Sequence, residues 1–226
     1  MMTDKPPGEA QYQDHTRFLR ERGMEELGLA AGWAYYDDPR HLVFTLARYK
    51  FVAKMLEGCE NVLEIGCGDG FGSRIVAQSV GRLTGIDFDP AFIEDARKRP
   101  ADRWPIRFER HDLLSAPYPG AYDAIFALDV LEHIDPSDED RFLRNALSSL
   151  TQPGVLIIGM PSLESQAYAS PQSKAGHKNC KTMPDLRAVM QRYFHNVFVF
   201  SMNDEIVHTG YHRMAHYLIA LCCTRR

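Results

Sequence analysis

The 226-residue chain has no apolar run approaching the roughly 20 residues of a membrane-spanning helix, so such a span is excluded. Its start, Met1-Met2-Thr3-Asp4-Lys5-Pro6-Pro7, is polar and lacks the apolar stretch of a secretory leader. A cytoplasmic protein with no membrane partner is expected. Cysteine is scarce and odd in number: Cys59, Cys67, Cys180, Cys222 and Cys223, with no C-x-x-C and no zinc-ligand spacing. Free thiols in a reducing compartment follow, and no metal is expected. A basic stripe is missing too. The 26 basic side chains are outnumbered by 30 acidic ones, for a net charge of −4. Arg97-Lys98-Arg99 is the densest basic stretch and suits the negative end of a helix. Proteins that grip a phosphate backbone carry such a stripe, so no nucleic-acid partner is expected. There is no G-x-x-x-x-G-K-[ST], which excludes the phosphate-cradling loop of a nucleoside triphosphatase.

What is present is ordinary for one globular domain: 45% hydrophobic and 25% charged residues, with 16 Gly and 13 Pro. The first dozen residues read as loosely attached, and 14–28 as a helix. Residues 31–39, with Trp33, Tyr35, Tyr36 and Pro39, read as an ordered aromatic loop. A helix over 40–57 follows, capped by Asp38 and ended by Gly58, burying Leu42, Leu46, Tyr49, Val52 or Ala53, and Leu56. After residue 60, short apolar runs alternate with helical segments. Strands are predicted over 61–65, 82–86, 106–110, 122–127, 154–160, 196–202 and 213–222. Helices are predicted over 71–80, 90–99, 137–150 and 184–192, with a long connection over 161–182. This alternation means an α/β domain with a mostly parallel sheet and helices on both faces, closed by an antiparallel hairpin.

The most informative segment is Val62-Leu63-Glu64-Ile65-Gly66-Cys67-Gly68-Asp69-Gly70, a strand running into glycines at every second position. Glycine lets the backbone turn sharply and approach a ligand, and the next helix aims its amides there. A dinucleotide fingerprint is G-x-G-x-x-G; here Gly70 comes one residue early and Phe71 stands in the last glycine's place. Glu64 adds an acid inside the strand. A small cationic nucleoside suits this turn better than a pyrophosphate. Asp87, in Gly85-Ile86-Asp87-Phe88-Asp89-Pro90, ends the second strand where a carboxylate can accept both hydroxyls of a ribose. Asp112, in His111-Asp112-Leu113-Leu114, can accept from an adenine amino group. Tyr122–Leu128 then runs into Asp129, Glu132 and His133 at the sheet's carboxyl end.

These four segments, in this order and spacing, resemble the class I S-adenosylmethionine-dependent methyltransferases. The resemblance covers residues 40–226, with 1–39 as an N-terminal tail and helical lid segment. It implies a Rossmann-like, seven-stranded, mostly parallel sheet whose last strand is antiparallel and inserted before the sixth. It implies S-adenosylmethionine as cofactor: Glu64, Gly66, Gly68 and Gly70 at the methionine and ribose, Asp87 at the ribose hydroxyls, and Phe88 beside the adenine. Asp112 and Leu113 would flank the adenine, and Leu128 and Asp129 would lie near the sulfonium and the acceptor.

Methyl transfer requires alignment and exclusion of water, and a hydroxyl acceptor gains from a base. His133 and His177 are the candidate bases. Tyr36, His208 and Tyr211 are candidate acceptor contacts, and Trp33, Tyr35, Tyr36 and Arg40 a candidate lid. Arg40 or Arg48 could pair with the cofactor's carboxylate. His208, His212 and His216 have metal-ligand spacing for a helix, but Gly210 interrupts and the following run reads as a strand. The fourth strand ends in Ala127-Leu128-Asp129, not Asn/Asp-Pro-Pro-Tyr, which departs from relatives that methylate base or amide nitrogens. The expected reaction is methyl transfer to a small-molecule hydroxyl: a sugar, a sugar nucleotide or a natural-product intermediate. The rival readings are a macromolecule methyltransferase, an NAD(P)-binding oxidoreductase and a non-catalytic cofactor-binding subunit. A homodimer is the default assembly.

Overall fold

The computed structural model describes residues 9–99 and 102–226. Of the dozen residues expected to be loosely attached, 1–8 lie outside that range. Among the described residues, eight strands form one sheet: β1 (Asn61–Ile65), β2 (Arg82–Asp87), β3 (Ile106–Arg110), β4 (Tyr122–Leu128), β5 (Leu150–Pro161), β6 (Phe194–Asn203), β7 (Ile206–His208) and β8 (Tyr217–Arg225). Their order is β3-β2-β1-β4-β5-β8-β6-β7. β1 to β5 pair in parallel, β8 runs antiparallel between β5 and β6, and β7 is an antiparallel edge on β6. The helices are α1 (Gln13–Arg22), α2 (Leu29–Asp37), α3 (Pro39–Met55), α4 (Ser73–Ala77), α5 (Pro90–Arg97), α6 (Glu139–Ser148), α7 (Pro171–Gly176) and α8 (Met183–Gln191). None is long and apolar enough to cross a membrane.

The alternation of side chains along a strand divides the core in two. Leu63, Ile65, Ile125 and Ala127 face one way and pack with Phe142, Leu143 and Ala146 of α6 and Leu186 and Met190 of α8. Val62, Ala124, Phe126 and Leu128 face the other way and pack with Val52 and Ala53 of α3 and Val76 of α4. The sheet is therefore covered on both faces, and ligand access is left to the loops at the strands' carboxyl ends. The order reverses between β1 and β4, which places the crevice there.

Four local readings are corrected. Residues 31–39 are not a loop but most of α2 and the start of α3. The first amides of α2 find acceptors far away in sequence: the N–H groups of Leu29 and Ala31 donate to Asp95 and Asp69 at 2.9 and 2.8 Å. On α3, Arg48 takes a place on the buried face, alongside Val52 and Ala53, while Leu42 and Leu46 stay partly exposed. Residues 213–216 are not strand: His212–Met214 form a 3-10 turn and β8 begins at Tyr217. The eighth strand, β7, was unforeseen. It hangs on a tight two-residue turn in which Asp204 takes φ 49°. The last strand's inserted, antiparallel place is as the resemblance implied.

Candidate functional site

β1 delivers the chain into a turn whose glycines are required by geometry. Gly66, Gly68 and Gly70 have φ of 74°, 52° and 70°, the left-handed region that side chains avoid. A Cβ on Gly66 would lie 2.3 Å from Val130, and one on Gly70 2.4 Å from the ring of Phe108. Gly68 differs: nothing lies within 4 Å of where its Cβ would be, so this side of the turn is open. The Gly68 N–H donates to Asp87 Oδ2 at 3.0 Å, and the Asp89 N–H to Asp87 Oδ1 at 2.9 Å. Asp87 is thus buried and aimed along the glycine turn. Phe88, next to it, is 70% exposed, a bare ring at the mouth of the crevice.

Glu64 lies beneath the turn, buried, with neither carboxylate oxygen hydrogen-bonded. Burial pushes its carboxyl up to about 7; the nearby hydroxyls of Ser73 and Tyr49 pull it back, and Asp87 and Asp69 add to the rise. A carboxylate in this condition calls for a cation or hydrogen-bond donors. The residues therefore fit a ligand with a positive charge and free hydroxyls, such as an adenosyl sulfonium amino acid, and would repel a pyrophosphate.

A second polar group gathers past the end of β4. Asp129 takes φ 57° and accepts from Arg48 Nη1 through both oxygens, at 2.8 and 2.7 Å. Arg48 is buried and its guanidinium lies 3.8 Å from the centre of the Tyr217 ring. Burial is the largest influence and works against its charge, but Asp129, Tyr217 and Glu132 together outweigh it and its pKa is raised. Arg48 is therefore paired within the fold, while Arg40 pairs with Asp38 at the surface. Glu132, in the 3-10 turn Leu131–His133, is fully buried. Burial and then Asp129 push its carboxyl well above the ordinary range. The rings of His133 and His177 are 5.2 Å apart between centres, so the two candidate bases meet although one follows β4 and the other follows α7. Burial and the neighbouring His133 hold His177 below its ordinary pKa.

Other candidates are placed differently. Asp112 is exposed and its oxygens already accept from the Leu114 amide and the Ser115 hydroxyl, as in a turn. Leu113 and Leu128 are buried in the two halves of the core. His208 is tied up on both nitrogens: Nδ1 accepts from the Gly210 amide at 2.9 Å, so Nε2 donates to Asn203 Oδ1 at 2.8 Å. Tyr211 is exposed against His212. Tyr36 is 82% exposed, with Trp33 its ring neighbour at 6.1 Å. The aromatics of α2 therefore do not serve as packing against the sheet. What holds α2 over the glycine turn is Asp69, which sits between Gly68 and Gly70 and accepts from Ala31. Sequence reasoning missed that role of Asp69, and the pairing of Arg48 with Asp129. An acid between two turn glycines and an arginine on an apolar helix face were the available signals.

Residues 62–154 match the methyltransferase domain family. Over 132 residues the chain is 30% identical to a ubiquinone biosynthesis O-methyltransferase of Xanthomonas euvesicatoria pv. vesicatoria (strain 85-10), covering 56% of this chain and 54% of that one. A probable S-adenosylmethionine-dependent methyltransferase of Mycolicibacterium smegmatis (strain ATCC 700084 / mc(2)155) is 32% identical over 104 residues, covering 45% and 38%. The chain thus spans about half the length, or less, of these curated relatives. The solved N-methyltransferase NodS from Bradyrhizobium japonicum WM9, in complex with S-adenosyl-L-homocysteine, superposes with a TM-score of 0.64 at 20% identity, covering 96% of this chain and 99% of that one. At that identity the likeness concerns the fold. In fold, glycine turn and domain match the chain is similar to the class I S-adenosylmethionine-dependent methyltransferases. The matched stretch runs from β1 into the start of β5.

Proposed function

We propose that this chain transfers a methyl group from S-adenosylmethionine to a hydroxyl oxygen of a small-molecule acceptor. The observation that carries this reading is Glu64, buried and unpartnered beneath a left-handed glycine turn whose Gly68 side is open. When bound, the cofactor supplies a methyl group activated by a sulfonium. Glu64 would compensate the cofactor's positive charge, Asp87 would accept from the ribose hydroxyls, and Phe88 would lie beside the adenine. Asp112 and Leu113 would flank the base, with Asp112 using the lone pairs its turn leaves over. Leu128 and Asp129 would bound the space in which the acceptor meets the methyl carbon.

His133 and His177 stand at that end, and with Nδ1 of His177 turned to Gln166 its Nε2 is the atom that can take the acceptor's proton when no other ligand occupies it. Tyr36 and Tyr211 contact the acceptor from the lid and the rim, while His208 shapes the loop that carries Tyr211. The relative named as an O-methyltransferase supports oxygen as the atom methylated. The test is transfer of a labelled methyl group to hydroxylated small molecules, beginning with sugars, sugar nucleotides and natural-product intermediates. His177→Ala is expected to lower turnover at least 100-fold with S-adenosylhomocysteine binding retained. Unchanged turnover removes the base role. Absence of transfer to any hydroxyl, with transfer to an amine, overturns the choice of atom.

A further inference from the structure

Glu132 is the side chain that methyl transfer leaves unexplained. It is fully buried, and both carboxylate oxygens lack a hydrogen-bond partner among the described residues. The adjacent guanidinium of Arg48 is turned to both oxygens of Asp129 instead. A buried carboxylate in that state is costly unless a cation compensates it. Two imidazoles are within reach: one ligand atom each from Glu132, His133 and His177 lies within 4.8 Å of the others. The meeting is built by the backbone. The N–H groups of Lys178 and Asn179 donate to the Glu132 carbonyl at 2.7 and 3.0 Å, which docks the end of α7 onto the turn after β4.

Both rings have Nδ1 engaged, which leaves Nε2 as the atom free to act as a ligand. His133 Nδ1 lies 3.0 Å from the Gly176 carbonyl oxygen, which can only accept, so the proton is on Nδ1 and Nε2 keeps its lone pair. His177 Nδ1 lies 2.7 Å from Gln166 Oε1. The amide nitrogen of Gln166 donates to the Ser162 carbonyl, which fixes the amide's orientation and leaves its oxygen to accept from His177. Outer hydrogen bonds of this kind set the tautomer and direction of metal-binding histidines.

We propose that Glu132, His133 and His177 bind one divalent transition-metal cation. Two imidazoles and a carboxylate suit zinc, manganese, iron or cobalt better than calcium or magnesium. Ligand atoms around zinc are about 3.4 Å apart, so the three groups must draw in by about 1 Å. Three protein ligands leave coordination positions for a further oxygen. In one respect the proposal rests on the methyl-transfer reading. A cation beside Asp129 would hold the acceptor hydroxyl and ease loss of its proton to solvent. The oxygen's lone pair then forms the bond to the methyl carbon as the carbon–sulfur pair leaves with sulfur. His133 and His177 would in that case hold the cation rather than take the proton.

The test uses the full chain, stripped of metal with a chelator. Cobalt(II) is added while visible absorption is read, and zinc is titrated by calorimetry. One equivalent should bind, with the bands of a nitrogen and oxygen donor set and without the near-ultraviolet thiolate band. Affinity should fall at least tenfold in Glu132→Gln and in His177→Ala and stay unchanged in His195→Ala, an exposed histidine elsewhere. Gln166→Leu, which leaves all three ligands in place, should weaken binding 10- to 100-fold. No saturable binding, a thiolate spectrum, or affinity indifferent to Glu132→Gln, His177→Ala and Gln166→Leu would overturn the proposal. S-adenosylhomocysteine is titrated in parallel. Its failure to bind would sink the methyl-transfer reading and leave the metal titration to be judged by itself.

Discussion

Glu64 links stability to cofactor binding through one proton. Its folded pKa of about 7 stands above the ordinary 4.5, so the folded protein holds this proton to higher pH than the unfolded chain does. Stability from this group is therefore lost as pH rises from about 4.5 to about 7, by up to about 3 kcal/mol. Glu64→Gln should raise the Tm of the cofactor-free protein more at pH 8 than at pH 5, while weakening S-adenosylhomocysteine binding at least tenfold. Equal Tm shifts at the two pH values would contradict the burial argument. Because a positively charged ligand favours the ionised form, affinity in the unaltered protein should rise between pH 5 and 7. Arg48 gives a second test. Arg48→Ala leaves Asp129 and Glu132 without their nearest cation and should cost about 2–3 kcal/mol, read by denaturant unfolding. The value sits below that of a fully enclosed pair because the Asp129 side chain is 34% exposed.

The elements differ in how far their own residues account for them. α3 is capped as its sequence implies, with Asp38 accepting from the Arg40 amide behind Pro39. α2 has no such local signal, since Asp69 and Asp95 complete its first turn from the glycine loop and α5. That is why a reading by neighbours along the chain makes it a loop. Asp69→Ala should free α2: amide hydrogen exchange over 31–37 is expected to quicken five- to tenfold, in line with the ~1 kcal/mol of a lost cap. Release of S-adenosylhomocysteine should quicken with it if α2 closes over the crevice. Exchange confined to its original rate would show that α2 is held by other contacts. Similarly, β7 exists because Asp204 accepts a left-handed conformation, and three residues offer no periodicity to read.

At the scale of the molecule, the sheet was legible because each central strand is apolar on both faces and each is followed by a recognisable polar end. Glu64, Asp87 and Asp129 each close a strand or stand next to its last residue, so strand boundaries and candidate site residues are read from the same positions. The ion pair of Arg48, the role of Asp69 and the meeting of His133 with His177 depend on contacts between distant segments, which periodicity does not report. The two-faced core makes a direct prediction. Phe126→Ala in β4 removes a fully buried ring from the layer shared with α3 and α4 and should cost about 3–5 kcal/mol. A cost under 1 kcal/mol by denaturant unfolding would mean that this layer is not packed as described.

The central claim is that the crevice between β1 and β4 takes an adenosyl amino acid. Calorimetric titration with S-adenosylhomocysteine, run beside NADH on the same protein, tests it most directly. Saturable binding of S-adenosylhomocysteine alone, lost in Asp87→Ala, is the predicted result. Binding of NADH in its place, or of neither, would contradict the reading of the glycine turn and the roles given to Glu64, Asp87 and Phe88.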